Sequence, residues 1–196
     1  MTRALCPRCQ RPLRTCLCHA IEPTAHTLAL HILMHPTEQK CAKGTASITA
    51  AVLQRCRIWP GESEADFAGL RASLNGRPAY LIYPGEHAEP VETASLPADA
   101  ELLLIDGTWR KTHKMLQLNP WLAALPRLSF AQVPDGNYEI RKARRDDSLS
   151  TLEAAAYALQ HLEGLDPAPL MRAFEALKQS QIAHMPDSVR RRYRTE

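Results

Sequence analysis

The 196 residues contain no apolar run long enough to span a bilayer, which excludes a transmembrane helix. The opening MTRALCPRC has no apolar core of the signal-peptide kind, so the cytoplasm is the expected compartment. There is no G-x-x-x-x-G-K-[ST] loop, no G-x-S-x-G elbow and no G-x-G-x-x-G turn. Standard ATPase, hydrolase and Rossmann dinucleotide readings are therefore unsupported. Internal repeats and low-complexity segments are also missing.

What is present is an ordinary globular composition, 45% hydrophobic and 23% charged, with a formal net charge of +3. The length suffices for one α/β domain with a real core plus a small appendage. Short apolar runs alternate with amphipathic ones, which predicts a mostly parallel sheet. Strands are expected at 27–33, 79–83, 102–105 and 127–133, and helices at 45–57, 63–74, 110–118, 151–162 and 169–182. In the second of these helices Asn75-Gly76 supplies the stop; in the first, Cys56 is expected on the buried face. Met115 and Leu118 should face inward from the third, while Arg110, Lys111 and Lys114 face solvent.

Cysteines are clustered. Cys6, Cys9, Cys16 and Cys18 form C-x2-C-x6-C-x-C within thirteen residues. In a reducing compartment such spacing points to metal rather than disulfides. Four thiolates satisfy tetrahedral zinc in a closed, structural site, and metal would supply the folding energy that so short a segment lacks. His19 is an alternative to Cys18, and an iron–sulfur cluster is the rival to zinc. Arg8, Arg11 and Arg14 lie between the ligands and would give the knuckle positive charge. The expected division is a zinc-binding segment over 1–25, an α/β domain over 26–183 and a basic tail over 184–196.

The most informative stretch is Glu101–Met115, ELLLIDGTWRKTHKM. Leu102–Ile105 suit a strand buried on both faces, and it stops at Asp106. Gly107 permits a sharp turn, and Thr108 can cap the helix that follows. A carboxylate at the carboxyl end of a buried strand sits where open α/β sheets bind ligands. Tyr83-Pro84-Gly85 and the loop ahead of Thr151 are expected at the same edge. Ser150 or Thr151 caps a helix with Glu153 in its first turn. Arg141, Lys142, Arg144 and Arg145, with Lys40 and Lys43, are candidates for phosphate contacts, as is the arginine-rich tail.

Asp106-Gly107-Thr108-Trp109 resembles the D-x-T-W signature of the DTW-domain family. The four cysteines, His35-Pro36-Thr37-Glu38, Lys43-Gly44-Thr45, Tyr83-Pro84, Tyr138-Glu139-Ile140-Arg141 and Ser150-Thr151-Leu152-Glu153-Ala154 resemble family blocks in the same order. Gly44 stands where Asn is expected, and Glu139 where Arg is commoner. The resemblance implies a bacterial-type tRNA-uridine aminocarboxypropyltransferase with a SPOUT-like fold and a C-terminal knot around the cofactor. Such enzymes move the 3-amino-3-carboxypropyl group of S-adenosylmethionine to N3 of a tRNA uridine and release methylthioadenosine. The implied catalytic residues are Asp106, Thr108 and Trp109. Asp106 would act as the base or orient the N3–H, with a competing role in binding the cofactor's ammonium or ribose. Trp109 would stack on a base or pack in the core. Tyr83, Pro84, Gly85, Asp106, Gly107 and the backbone of Ser150, Thr151 and Leu152 would hold the cofactor. The implied partner is tRNA, with no membrane and no obligate protein partner. The alternatives are a SPOUT-like RNA methyltransferase and a non-catalytic zinc-knuckle RNA-binding module.

Overall fold

In the computed structural model the described residues are 4–9, 11–39, 41, 44–132 and 149–185. Among these residues six strands and six α-helices follow the cysteine segment: β1 Ala29–Met34, α1 Ala46–Val52, β2 Cys56–Pro60, α2 Ala68–Leu74, β3 Ala79–Ile82, β4 Glu89–Pro90, β5 Glu101–Asp106, α3 Trp109–Leu118, α4 Pro120–Ala123, β6 Arg127–Ser129, α5 Thr151–Glu163 and α6 Ala168–Ala183. The strands form one sheet in the order β2-β1-β5-β3-β6-β4, every pair parallel. The expected parallel α/β architecture is therefore present.

The centre of the sheet follows from its sequence. Leu102, Leu103 and Leu104 are each 5% exposed or less, so β5 must be covered on both faces. Alternate side chains point to opposite faces. Leu102 and Leu104 join Leu30 and Ile32 in one core with residues of α1, α5 and α6. Leu103 joins Leu33 and Leu81 in a second core with Phe67, Leu70, Met115 and Leu122 from the α2, α3 and α4 side. The result is a three-layer sandwich. Among the described residues no helix is long and apolar enough to cross a membrane.

Local differences from the sequence reading have identifiable causes. The helix expected over 45–57 stops at Val52, because Leu53 is extended and bridges Thr24. Cys56 then lies in β2, an edge strand on β1, rather than on a helix face. Helical and alternating patterns coincide over so short a run. Burial pushes the Cys56 thiol up to about 12. Leu118 is exposed instead of facing inward. Asn119 takes the buried place, its amide donating to Met115 O at 2.7 Å and Glu62 O at 2.9 Å. The helix expected from Ser63 begins at Ala68, after a turn pinned by Asp66 Oδ2, which accepts from Glu62 N and Ser63 N. It ends as expected, with Asn75 and Gly76 at positive φ. β4 is a short strand that none of the expected strand ranges includes, and β6 ends at Ser129 rather than running to 133.

The amino end of β5 carries a buried polar chain. Arg77 pairs with Glu101 Oε1 at 2.8 Å, His31 Nε2 donates to Glu101 Oε2, and Trp59 Nε1 donates to His31 Nδ1 at 3.0 Å. Because Nδ1 accepts the Trp59 hydrogen bond and so carries no proton, His31 is held neutral, and burial lowers its pKa despite the facing carboxylate. The unfolded histidine titrates near its ordinary 6.5, so the unfolded chain takes up the proton first. This contribution is complete above that pH and is lost as pH falls through the depressed folded value. Urea midpoints should therefore drop between neutral pH and the mildly acidic range. The drop should be smaller in His31→Gln, and an equal drop in the variant would refute the assignment.

Candidate functional site

β1, β5 and β3 are adjacent, so their carboxyl ends bring His35, Asp106 and Tyr83 to one edge. After β1 the chain turns to the α1 face; after β5 it turns to the opposite, α3 face. Diverging connections open a crevice between the two strand ends, the position where open sheets bind ligands. His35 N donates to Asp106 O at 3.0 Å, so the strand pairing continues to the crevice floor.

Asp106 is 6% exposed. Its Oδ1 accepts the Thr151 hydroxyl at 2.5 Å, which ties the first residue of α5 to the end of β5. Ser150 is the N-cap, with Glu153 N donating to Ser150 Oγ at 3.2 Å and Ser150 N donating to Glu153 Oε2 at 2.8 Å. This capping box fixes how the helix enters the site. Leu152 N donates to the buried Thr45 hydroxyl at 3.4 Å, just ahead of α1. Two backbone N–H groups expected to face a cofactor, those of Ser150 and Leu152, thus have partners inside the protein.

Gly107 sits under close neighbours: a Cβ there would lie 3.3 Å from Lys111 Cβ and 3.7 Å from His35 Cβ. Thr108 occupies the N-cap of α3, as expected, yet its side chain makes no cap bond. Trp109 is 48% exposed and so is not a core residue. Its ring meets Tyr83 edge-on at 6.0 Å between centroids. The Arg127 guanidinium lies over the other ring of this pair, 5.6 Å from the Tyr83 centroid, and donates to Pro84 O at 3.3 Å. A Cβ at Gly85 would come within 2.8 Å of Arg127 Nη1, so a larger residue there would displace the guanidinium from this position. Trp121, by contrast, packs against the second core.

A charged cluster adjoins the crevice. His35 Nδ1 accepts from Thr37 N at 3.3 Å, leaving Nε2 to donate to Glu62 Oε1 at 3.2 Å. Lys114 pairs with the same oxygen at 2.9 Å, and with His35 it holds the Glu62 carboxyl below its ordinary range. Lys111 Nζ donates to Thr37 Oγ1 at 2.6 Å and Glu38 Oε1 at 2.7 Å. Across the sheet, burial would raise the Glu92 carboxyl, but the Tyr157 hydroxyl and the N–H groups of Gln132 and Ala131 hold it at about 2.

Sequence reasoning brought Asp106, Gly107, Thr108, Trp109, Tyr83 and Ser150–Leu152 to one edge, and they are there. It assigned no role to His35, Thr45, Glu62 or Arg127. The order of family blocks already contained His35 and Thr45; Glu62 and Arg127 carry no local signal. Lys40, Lys43, Arg141, Lys142, Arg144, Arg145 and the arginine tail lie outside the described residues.

The four cysteine sulfurs lie within 4.8 Å of one another, with Cys6–Cys18 at 3.5 Å and Cys9–Cys16 at 3.8 Å. Zinc–sulfur bonds of about 2.3 Å imply tetrahedral edges of about 3.8 Å, so the set fits one zinc ion. His19 is exposed, while Cys18 stands in the cluster. Backbone N–H groups of Cys9 and Arg8 lower the Cys6 thiol to about 6; loss of water and the other sulfurs push Cys18 up to about 12. Arg8 and Arg11 donate to Ile21 O and Thr15 O, so both guanidinium groups brace the knuckle's own backbone. Cys6, Cys9, Leu17 and Ile21 belong to the same core as α6.

These features define an open-sheet α/β protein with a buried carboxylate at a strand end, an exposed tryptophan edge-on to Tyr83, and four thiols placed to hold a metal ion. The chain belongs to the DTW domain family, whose domain matches residues 3–182. It is similar to tRNA-uridine aminocarboxypropyltransferase 2 of Drosophila melanogaster, 32% identical over 169 residues, covering 82% of this chain and 67% of that protein. It is also similar to the Mus musculus protein of the same name, 30% identical over 193 residues, covering 93% of this chain and 65% of that one. The chain spans about two thirds of the length of these curated relatives. No solved structure matches it.

Metal analysis of the purified protein should give close to one zinc per chain, with Cys16→Ser well below that and melting at a lower temperature. Metal-free protein with unchanged melting would remove zinc from the fold.

Proposed function

We propose that this protein transfers the 3-amino-3-carboxypropyl group of S-adenosylmethionine to N3 of a uridine in tRNA, releasing methylthioadenosine. The observation that carries the reading is the buried Asp106 carboxylate at the β1–β5 crevice, in a DTW-domain chain whose curated relatives are named tRNA-uridine aminocarboxypropyltransferase 2. The sulfonium supplies an electrophilic carbon. As the N3–C bond forms, the C–S bond breaks and its electron pair leaves on the thioether sulfur.

Uridine N3 carries a proton at neutral pH, and that proton must leave as N3 attacks. Asp106 takes it, or orients the N3–H toward its acceptor. The Thr151 hydroxyl fixes the plane of the carboxylate, as a supporting hydrogen bond should. The exposed Trp109 ring, braced by Tyr83, offers a face on which a base stacks, and Thr108 borders it. Tyr83, Pro84, Gly85 and Gly107, with Thr151 at the start of α5, hold the adenosine side; the N–H groups of Ser150 and Leu152 are bonded to Glu153 and Thr45 and shape that wall from within. Which sulfonium carbon meets the acceptor is a matter of positioning, so the pocket selects the product. The reading carries with it a SPOUT-like knotted arrangement of the C-terminal half; the return of α5 to the middle of the sheet supports it. Lys40, Lys43, Arg141, Lys142, Arg144 and Arg145 contact tRNA phosphates on this reading. Zinc held by the four thiolates stiffens the N-terminal segment and takes no part in the chemistry.

Incubation with unmodified tRNA and S-adenosylmethionine, followed by nucleoside mass spectrometry, should yield aminocarboxypropyl-uridine and an equal amount of methylthioadenosine. S-adenosylhomocysteine with a methylated base would replace the proposal with an RNA methyltransferase, and no product at all would overturn catalysis. Asp106→Asn should lower the rate by about 10²-fold or more while S-adenosylmethionine still binds in calorimetry. Full activity in that variant excludes the base role. Loss of cofactor binding reassigns Asp106 to the cofactor.

A further inference from the structure

We propose that the exposed face of α3, with His35 at its crevice end, is the surface on which phosphates of the RNA substrate rest. The inference depends on the tRNA-directed reading above and identifies a docking surface for that same site.

α3 contains no acidic residue, although the whole chain is only +3. Arg110, His113 and Lys114 are exposed, and Lys111 is half-buried. Their spacing of three and four residues sets them along one side of the helix. With His35 and Glu62 they line an open depression of about 470 Å³, and every side chain in its wall is polar or charged. Several of those side chains carry N–H donors, which suits an anion.

Two acids oppose this charge, but their exposure decides what a ligand meets. Lys111 is 30% exposed and its partner Glu38 10%; Lys114 is 58% exposed and Glu62 29%. A polyanion arriving from solvent therefore reaches the ammonium groups before the carboxylates. The acids hold both lysines in place, which reduces the ordering that binding must impose. Arg110 has no ion-pair partner among the described residues, and a guanidinium suits a phosphate's paired oxygens.

The surface also lies in the right place. Lys111 Cβ and His35 Cβ close over Gly107, the residue after Asp106. A nucleotide presented to Asp106 must pass its neighbouring backbone along α3 on one side or past the Trp109–Tyr83 pair on the other. Phosphate contacts of this kind orient the RNA without reading its sequence.

The test uses the full chain and fluorescein-labelled unmodified tRNA, with anisotropy titrations across a range of KCl. The triple variant Arg110→Gln/His113→Gln/Lys114→Gln should bind at least about tenfold more weakly near 100 mM salt. Its plot of log K against log salt should flatten by roughly 1–2 units. Its S-adenosylmethionine affinity should be unchanged. Arg172→Gln on α6 should leave both quantities unchanged. The single variant Arg110→Gln, at an exposed position, should flatten the slope by just under one unit and keeps the test valid if the triple variant misfolds. An unchanged slope in either variant, or wild-type protein that binds no tRNA, overturns the inference. Wild-type protein that binds tRNA through this face yet makes no aminocarboxypropyl-uridine would sink the proposed chemistry and leave the surface standing.

Discussion

β5 is apolar and covered on both faces, yet it begins and ends with a buried carboxylate, Glu101 and Asp106. A buried carboxylate must find partners or it costs several kcal/mol, roughly the stability of a small domain. The two ends solve that requirement differently. Glu101 is answered by Arg77 and by His31, and through His31 by Trp59, so one charge binds β2, β1, β5 and the segment ahead of β3. Asp106 is answered by Thr151, forty-five residues onward, which brings α5 onto the middle of the sheet. The amino end is thereby locked. The carboxyl end keeps its carboxylate at a crevice.

The order of strands explains why that crevice is useful. With β1 and β3 on either side of β5, the residues after three neighbouring strand ends share one edge. Each contributes something chemically distinct: His35 with its attachment to Glu62, Asp106 with Thr151, and Tyr83 with Trp109 and Arg127. Diverging connections clear the space between them. The glycines at 85 and 107 let neighbouring side chains approach closely, Arg127 at the first and Lys111 at the second. Around this edge the polarity changes with direction. Aromatic surface lies toward β3, and cationic surface lies toward α3.

The four cysteines illustrate a different kind of constraint. Their spacing alone indicates a tetrahedral metal, and the sulfur separations agree with one zinc ion. The spacing says nothing about where the knuckle docks. Leu17 and Ile21 carry it onto the core shared with α6, so hydrophobic burial docks the segment whose thiols are placed for a metal.

Much of this was determined by the chain itself. Period-two and period-3.6 patterns are local, so the buried β5, the cap at Ser150, the helix start after Thr108, the stop at Asn75-Gly76 and the turn after Asp106 were all legible. The thiolate set and the DTW block were legible too, because ligand spacing and motif order are properties of sequence. Tertiary structure decided what local pattern leaves ambiguous. Cys56 left its helix because β1 offered an edge to pair with, and Leu118 gave way to Asn119 because the amide had buried carbonyls to satisfy. Trp109 became surface rather than core through its position at the start of α3. The pairings of Thr151 with Asp106 and Glu62 with Lys114 and His35 span 45, 52 and 27 residues. No local periodicity encodes such distances. They arise only when parallel strands of fixed order bring separate turns to the same edge.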